Sequence, residues 1–144
     1  MSDKTTELNS TIELVNNRLH FNAIVDGNEP ISIDYTPPLG DNLGYTSLEL
    51  FLLSLSSCVG SAVLTFLRKM KKNITGCQIK GKGYRREDHP TCFKKIILTI
   101  ELRSTDTTDD DVQKVINLAE DKYCPVWAMV KGNVEIEIQH RIVN

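Results

Sequence analysis

Cys58 and Cys124 have the residue type and the surroundings for chemistry. Cys58 closes the apolar run Ser47-Leu-Glu-Leu-Phe-Leu-Leu-Ser-Leu-Ser-Ser-Cys58. Cys124 stands in Lys122-Tyr-Cys-Pro-Val126, at the end of a second helical pattern. A thiolate is a nucleophile, a metal ligand and a redox group. Two thiols far apart in sequence, both in helical contexts flanked by residues suited to burial, are the raw material of thiol redox chemistry. One buried cysteine alone ordinarily reads as a small inert core residue. The matched pair is what points to function. Cys77 and Cys92 lie in strand patterns and read as structural.

The other classes of site find less support. No Cys-x-x-Cys pair occurs, the four cysteines match no zinc spacing, and His20, His89 and His140 are scattered, so neither a metal nor a bound cofactor is expected. A net charge of −2 argues against a general nucleic-acid binder. The basic run Arg68-Lys-Met-Lys-Lys72 reads as a helix end, where cations complement the helix dipole. The N-terminal Met1-Ser-Asp-Lys-Thr-Thr-Glu7 has no apolar segment of the secretory kind. A cytoplasmic location with reduced thiols is therefore expected. Leu48 to Leu67 is long and apolar enough for a membrane span, yet it carries Glu49, Gly60 and several hydroxyl residues. It reads as the central helix of a globular core, with no membrane partner.

The elements that must position the thiols follow from periodicity. Thr11–Val15, Arg18–Val25 and Pro30–Tyr35 alternate apolar and polar residues, with turn signals at Asn16-Asn17 and Asp26-Gly27-Asn28. A Pro/Gly/Asn-rich loop over residues 36–44 follows. The long helix starts at Thr46 or Ser47, a plausible N-cap with Glu49 in its first turn, and runs to about Lys71. Asn73–Tyr84 and Phe93–Arg103 read as strands. Thr107–Asp111 starts a helix with Val112, Val115, Ile116, Leu118 and Ala119 as its apolar stripe. A short apolar piece, Val126–Val130, precedes a last strand, Val134–Val143. The order predicts an α+β protein, a single domain over residues 1–144. A helix this apolar is hard to cover with a few short strands, which favours a homodimer. His20 and His140 are expected at the surface.

Three motifs carry a family resemblance: Thr46-Ser-Leu-Glu-Leu-Phe-Leu-Leu-Ser-Leu-Ser-Ser-Cys58, Pro90-x-x-Phe93-Lys-Lys-Ile96 and Lys122-Tyr-Cys-Pro-Val126. With these the chain resembles the OsmC/Ohr family of thiol peroxidases from about Ser32 onward. The resemblance implies N-terminal antiparallel strands, a long buried central helix, a second β-β-α-β half and an intertwined homodimer. It implies that Cys58 attacks a hydroperoxide and becomes a sulfenic acid. Cys124 then resolves it to a disulfide, which a dithiol reductant, a lipoyl protein or similar, reopens. The alternative on the same scaffold is a non-catalytic redox-sensing or ligand-binding dimer.

Such chemistry needs a thiolate with a lowered pKa, a second thiol to trap the sulfenic acid, and an arginine held by a carboxylate. The best-characterised branches of the family carry a glutamate ten positions before the reactive cysteine. Leu48 occupies that position here, and in this the chain resembles the OsmC-like branch typified by the YhfA group. Glu49 is the nearest carboxylate, about 100° further round the helix. Arg18 is the only arginine before the helix and so the candidate to support the thiolate. Leu48, Phe51, Leu52 and Trp127 are the candidate apolar lining of a hydroperoxide pocket.

Overall fold

The computed structural model describes residues 5–144 and divides into two compact units, one up to Leu50 and one from Phe51 to Asn144. The first unit is an antiparallel meander of β1 (Ser10–Leu14), β2 (Phe21–Val25) and β3 (Ile31–Ile33). β2 starts three residues later than alternation alone suggests. The Asn16 side chain accepts hydrogen bonds from the Arg18 and His20 backbone N–H groups at 3.0 and 3.1 Å, which consumes those residues in the turn. β3 likewise stops short of Asp34. That buried carboxylate accepts from the backbone N–H groups of Tyr35, Asp41 and Leu43 at 2.7, 3.2 and 3.1 Å and gathers the following loop around itself. Burial acts to raise its pKa, but the three N–H donors and the nearby His20 outweigh it and hold the carboxyl below its usual range. Gly40 is required in this loop, because a Cβ there would lie 2.1 Å from the Tyr35 carbonyl oxygen.

Helix α1 (Ser47–Lys69) begins in the first unit and continues into the second. Thr46 and Glu49 close its start as a capping box: the Thr46 hydroxyl accepts from the Glu49 N–H at 3.2 Å, and the Glu49 carboxylate accepts from the Thr46 N–H at 2.8 Å.

In the second unit α1 lies on a three-stranded sheet of order β4-β5-β6, formed by Gly76–Arg85, Phe93–Arg103 and Glu135–Val143. β4 pairs antiparallel to the central β5, and β6 pairs parallel to it. β5 alternates strictly: Ile96, Leu98, Ile100 and Leu102 are fully buried while their neighbours face outward. Leu55, Val59, Val63 and Leu67, spaced four apart on α1, are also fully buried. By length and composition α1 could cross a membrane; in this fold its apolar stripe is a core element. Gly60 lets β4 approach closely, since a Cβ there would sit 2.6 Å from Ile79 Cδ1.

A parallel strand needs a crossover, which is supplied by α2 (Asp109–Leu118), a π-helical turn (Ala119–Tyr123) and α3 (Pro125–Val130). Thr108 caps α2 in a second capping box, with Asp111. Val112, Val115 and Ile116 face the core. His140 is half-buried on β6, its ring 3.1 Å from the Asp109 carboxylate, and His20 is half-buried with its Nε2 atom fully enclosed. Both therefore depart from the surface placement expected of them. His140 lies on a strand face that packing partly covers, whereas His20 closes the β1–β2 turn.

Candidate functional site

Cys58 sits in the fourth turn of α1, half-buried, directly before the core residue Val59. The placement of Cys124 is a local consequence of Pro125. Proline disfavours the α conformation of the residue before it, and Cys124 takes φ −104° and ψ 100°. The helix that began at Asp109 therefore ends there. Its last turn widens so that the Cys124 N–H donates to the Ala119 carbonyl at 3.0 Å, a π-type bond of the kind often found at functional sites. Proline is well suited to the first helical position, so α3 starts at once. Cys124 becomes its N-cap, the sulfur accepting from the Trp127 N–H at 3.4 Å.

The two thiols meet. Cys124 is only 2% exposed, and Cys58 is near enough to act on its ionisation. Its pKa is pushed up to about 11. Burial is the main cause, and the neighbouring Cys58 acts in the same direction. The N–H groups of Trp127 and Val126 work against them. Cys124 is therefore a neutral thiol at neutral pH, with Cys58 as its neighbour. Aromatic packing anchors this segment to α1 further along: the Tyr123 ring lies 4.6 Å from that of Phe66, and Lys69 and Lys122 sit over the two rings. All four cysteines are free thiols.

The remaining candidate residues make the following contacts. Phe51 leans on Phe93 at 6.0 Å between ring centroids. Leu52 lies over Gly81, where a Cβ would come within 3.2 Å of it. Trp127 is buried in α3. Leu48, Glu49 and Arg18 belong to the first unit. Leu48 is half-buried, and Glu49 is engaged in the capping box. Arg18 forms an ion pair with Asp41 and donates to the Pro38 carbonyl, tying the β1–β2 turn to the Asp34 loop. Sequence reasoning missed the Val126 and Trp127 N–H groups that hold the Cys124 sulfur. The proline directly after Cys124 was the signal for them. Among the described residues no group of three or more His, Cys, Asp or Glu side chains could hold a metal ion.

The fold and the site together define an α+β protein with a thiol pair shared between a core helix and a helix junction. The chain belongs to the OsmC family: the family model for OsmC-like protein matches residues 40–139. Protein YhfA of Escherichia coli K12 is 28% identical over 96 residues, covering 67% of this chain and 72% of that protein. A hypothetical protein from Aquifex aeolicus VF5 has the same fold, with TM-score 0.84, 25% identity, and coverage of 96% of this chain and 98% of the other. The organic hydroperoxide resistance protein OhrB of Bacillus subtilis shares the fold at TM-score 0.65 and 21% identity, covering 94% and 98%.

Proposed function

We propose that this protein is a cysteine-based thiol peroxidase reducing organic or small hydroperoxides. The observation that carries this reading is the proximity of Cys58 and Cys124, one half-buried and the other sealed, both free thiols, with Cys58 acting directly on the ionisation of Cys124. The Cys58 thiolate attacks the hydroperoxide oxygen, the O–O bond breaks, and the alkoxide leaves with a proton as an alcohol. The resulting Cys58 sulfenic acid has Cys124 beside it. Attack by the Cys124 sulfur forms the disulfide and expels water before further oxidation. A dithiol reductant, a lipoyl protein or similar, then supplies two electrons and restores both thiols. The OsmC family membership and the fold shared with a hydroperoxide resistance protein support the substrate class.

The same reading makes the protein a cytoplasmic homodimer whose chain works as one OsmC-like domain. Ile12 and Leu14 on β1 are 54% and 49% exposed, and Leu53 on α1 is 51% exposed, a degree of apolar exposure that a second copy would relieve. The family model runs across the boundary between the two compact units, which supports a single functional domain.

One observation favours a second reading, a redox-sensing or ligand-binding dimer. Glu49 and Arg18, the charged residues expected to tune the thiolate, are both engaged in structural contacts. Peroxide consumption with dithiothreitol as reductant separates the two. Turnover that disappears in Cys58→Ser supports the peroxidase. Disulfide formation without turnover supports the sensor.

A further inference from the structure

The two sulfurs of a Cys58–Cys124 disulfide would not be equivalent to an incoming thiol. Cys124 is 2% exposed, in the angle between the π-helical turn and α3, with fully buried Ala119 and buried Trp127 beside it in sequence. Cys58 is half-buried on α1, and its helix neighbours at the preceding and following turns, Ser54 and Ser61, are exposed and small. We infer that the reductant attacks the sulfur of Cys58, and that Cys124 departs as the leaving thiolate toward the N–H groups of Val126 and Trp127. This rests on the peroxidase reading above.

The step balances. A reductant thiolate forms a bond to the Cys58 sulfur as the Cys58–Cys124 bond breaks. Cys124 takes the electron pair and then the proton released by the reductant. The second reductant thiol attacks the same mixed disulfide, leaves with it as a cyclic disulfide, and frees Cys58. The dithiol loses two electrons and the protein disulfide gains them.

One effect opposes this direction. A basic thiol is a poor leaving group, and the raised basicity of Cys124 would slow its departure by about tenfold. Access decides otherwise. Displacement at sulfur proceeds in line with the bond being broken. At Cys124 that line requires a reductant to reach an atom sealed from solvent, which would need α3 to open. Once expelled, Cys124 is protonated at neutral pH and so re-attacks the mixed disulfide slowly, leaving time for the second reductant thiol.

The test starts from protein oxidised with one equivalent of tert-butyl hydroperoxide or, separately, with diamide, the disulfide being verified by peptide mass mapping. Oxidised protein is mixed with 2-mercaptoethanol, quenched in acid at early times, capped with N-ethylmaleimide and digested. The expected result is mercaptoethanol on Cys58 and maleimide on Cys124, exceeding the reverse pattern by about tenfold or more. Equal amounts, or an excess of adduct on Cys124, would overturn the inference and leave the peroxidase reading standing. If neither oxidant yields a Cys58–Cys124 disulfide, the peroxidase reading falls and this inference with it.

Discussion

The reactivity of Cys124 provides the sharpest quantitative test. A thiol with a pKa of about 11 is ionised to about one part in ten thousand at pH 7. An ordinary thiol with a pKa of 9.0 would be ionised about a hundredfold more. Nucleophilicity rises with basicity, which returns about tenfold of that loss. The net effect of the electrostatics alone is therefore about a tenfold slowing of alkylation, and burial at 2% exposure adds to it. Timed iodoacetamide labelling with peptide mass mapping reads all four cysteines in one sample, with exposed Cys77 as the internal comparison. Cys124 should label slowest, at least tenfold behind its own rate in urea. Its rate should climb with pH toward about 11 without a plateau near 9. Part of the raised pKa comes from Cys58, so Cys58→Ser should move the profile of Cys124 to lower pH while burial keeps it above that of a free thiol. Cys124 labelling as fast as Cys77, or a profile unchanged by Cys58→Ser, would refute the assignment of these thiols as an interacting pair.

Other perturbations address separate parts of the structure. Cys58→Ser should abolish peroxide consumption, whereas Cys124→Ser treated with one equivalent of peroxide should carry one added oxygen on Cys58 by mass spectrometry and over-oxidise on repeated exposure. Because the folded-state pKa of Cys124 is raised, its contribution to stability is complete below about pH 9 and is lost as pH rises toward about 11. Urea midpoints of wild type should fall across that window more than those of Cys124→Ser. Glu49→Gln keeps a side-chain acceptor for the Thr46 N–H, so peroxide consumption should be unchanged; a tenfold slowing would restore Glu49 as a carboxylate acting on the thiolate. Gly83→Ala places a Cβ about 2.2 Å from the Phe93 ring and should cost about 1–3 kcal/mol in chemical denaturation, without altering the labelling order of the cysteines.

Local chemistry made several elements legible in the sequence. The alternation in Phe93–Arg103 reports a strand with one buried face, and β5 is that strand, at the centre of its sheet. Thr46 with Glu49 and the threonines before Asp109-Asp-Asp111 are helix-start signals, and both sites hold capping boxes. The apolar stripe of α1 is readable because core residues recur every turn. Other features depended on residues distant in sequence. β6 pairs parallel to β5, and nothing in its alternation distinguishes a parallel neighbour from an antiparallel one. Asp34 would pass for a polar loop residue, yet three backbone N–H groups converge on it only once the chain turns back.

For the site the division is similar. Residue types, the two helical contexts and Pro125 after Cys124 were enough to single out the thiols and to suggest the family. A cysteine pair, however, is chemistry only when its sulfurs meet, and contact between residues so far apart in sequence is a tertiary property. Packing of the π-helical turn against α1 holds Cys124 near Cys58, and the fold seals Cys124 from water. The same packing keeps one thiol neutral and leaves the other within reach of solvent. Arg18 and Glu49 illustrate the converse. Sequence position alone made them candidates for charge support of a thiolate. In the fold, short-range hydrogen bonds to Asp41, Pro38 and Thr46 claim their charged groups, because a carboxylate or guanidinium takes the donors and acceptors nearest to it.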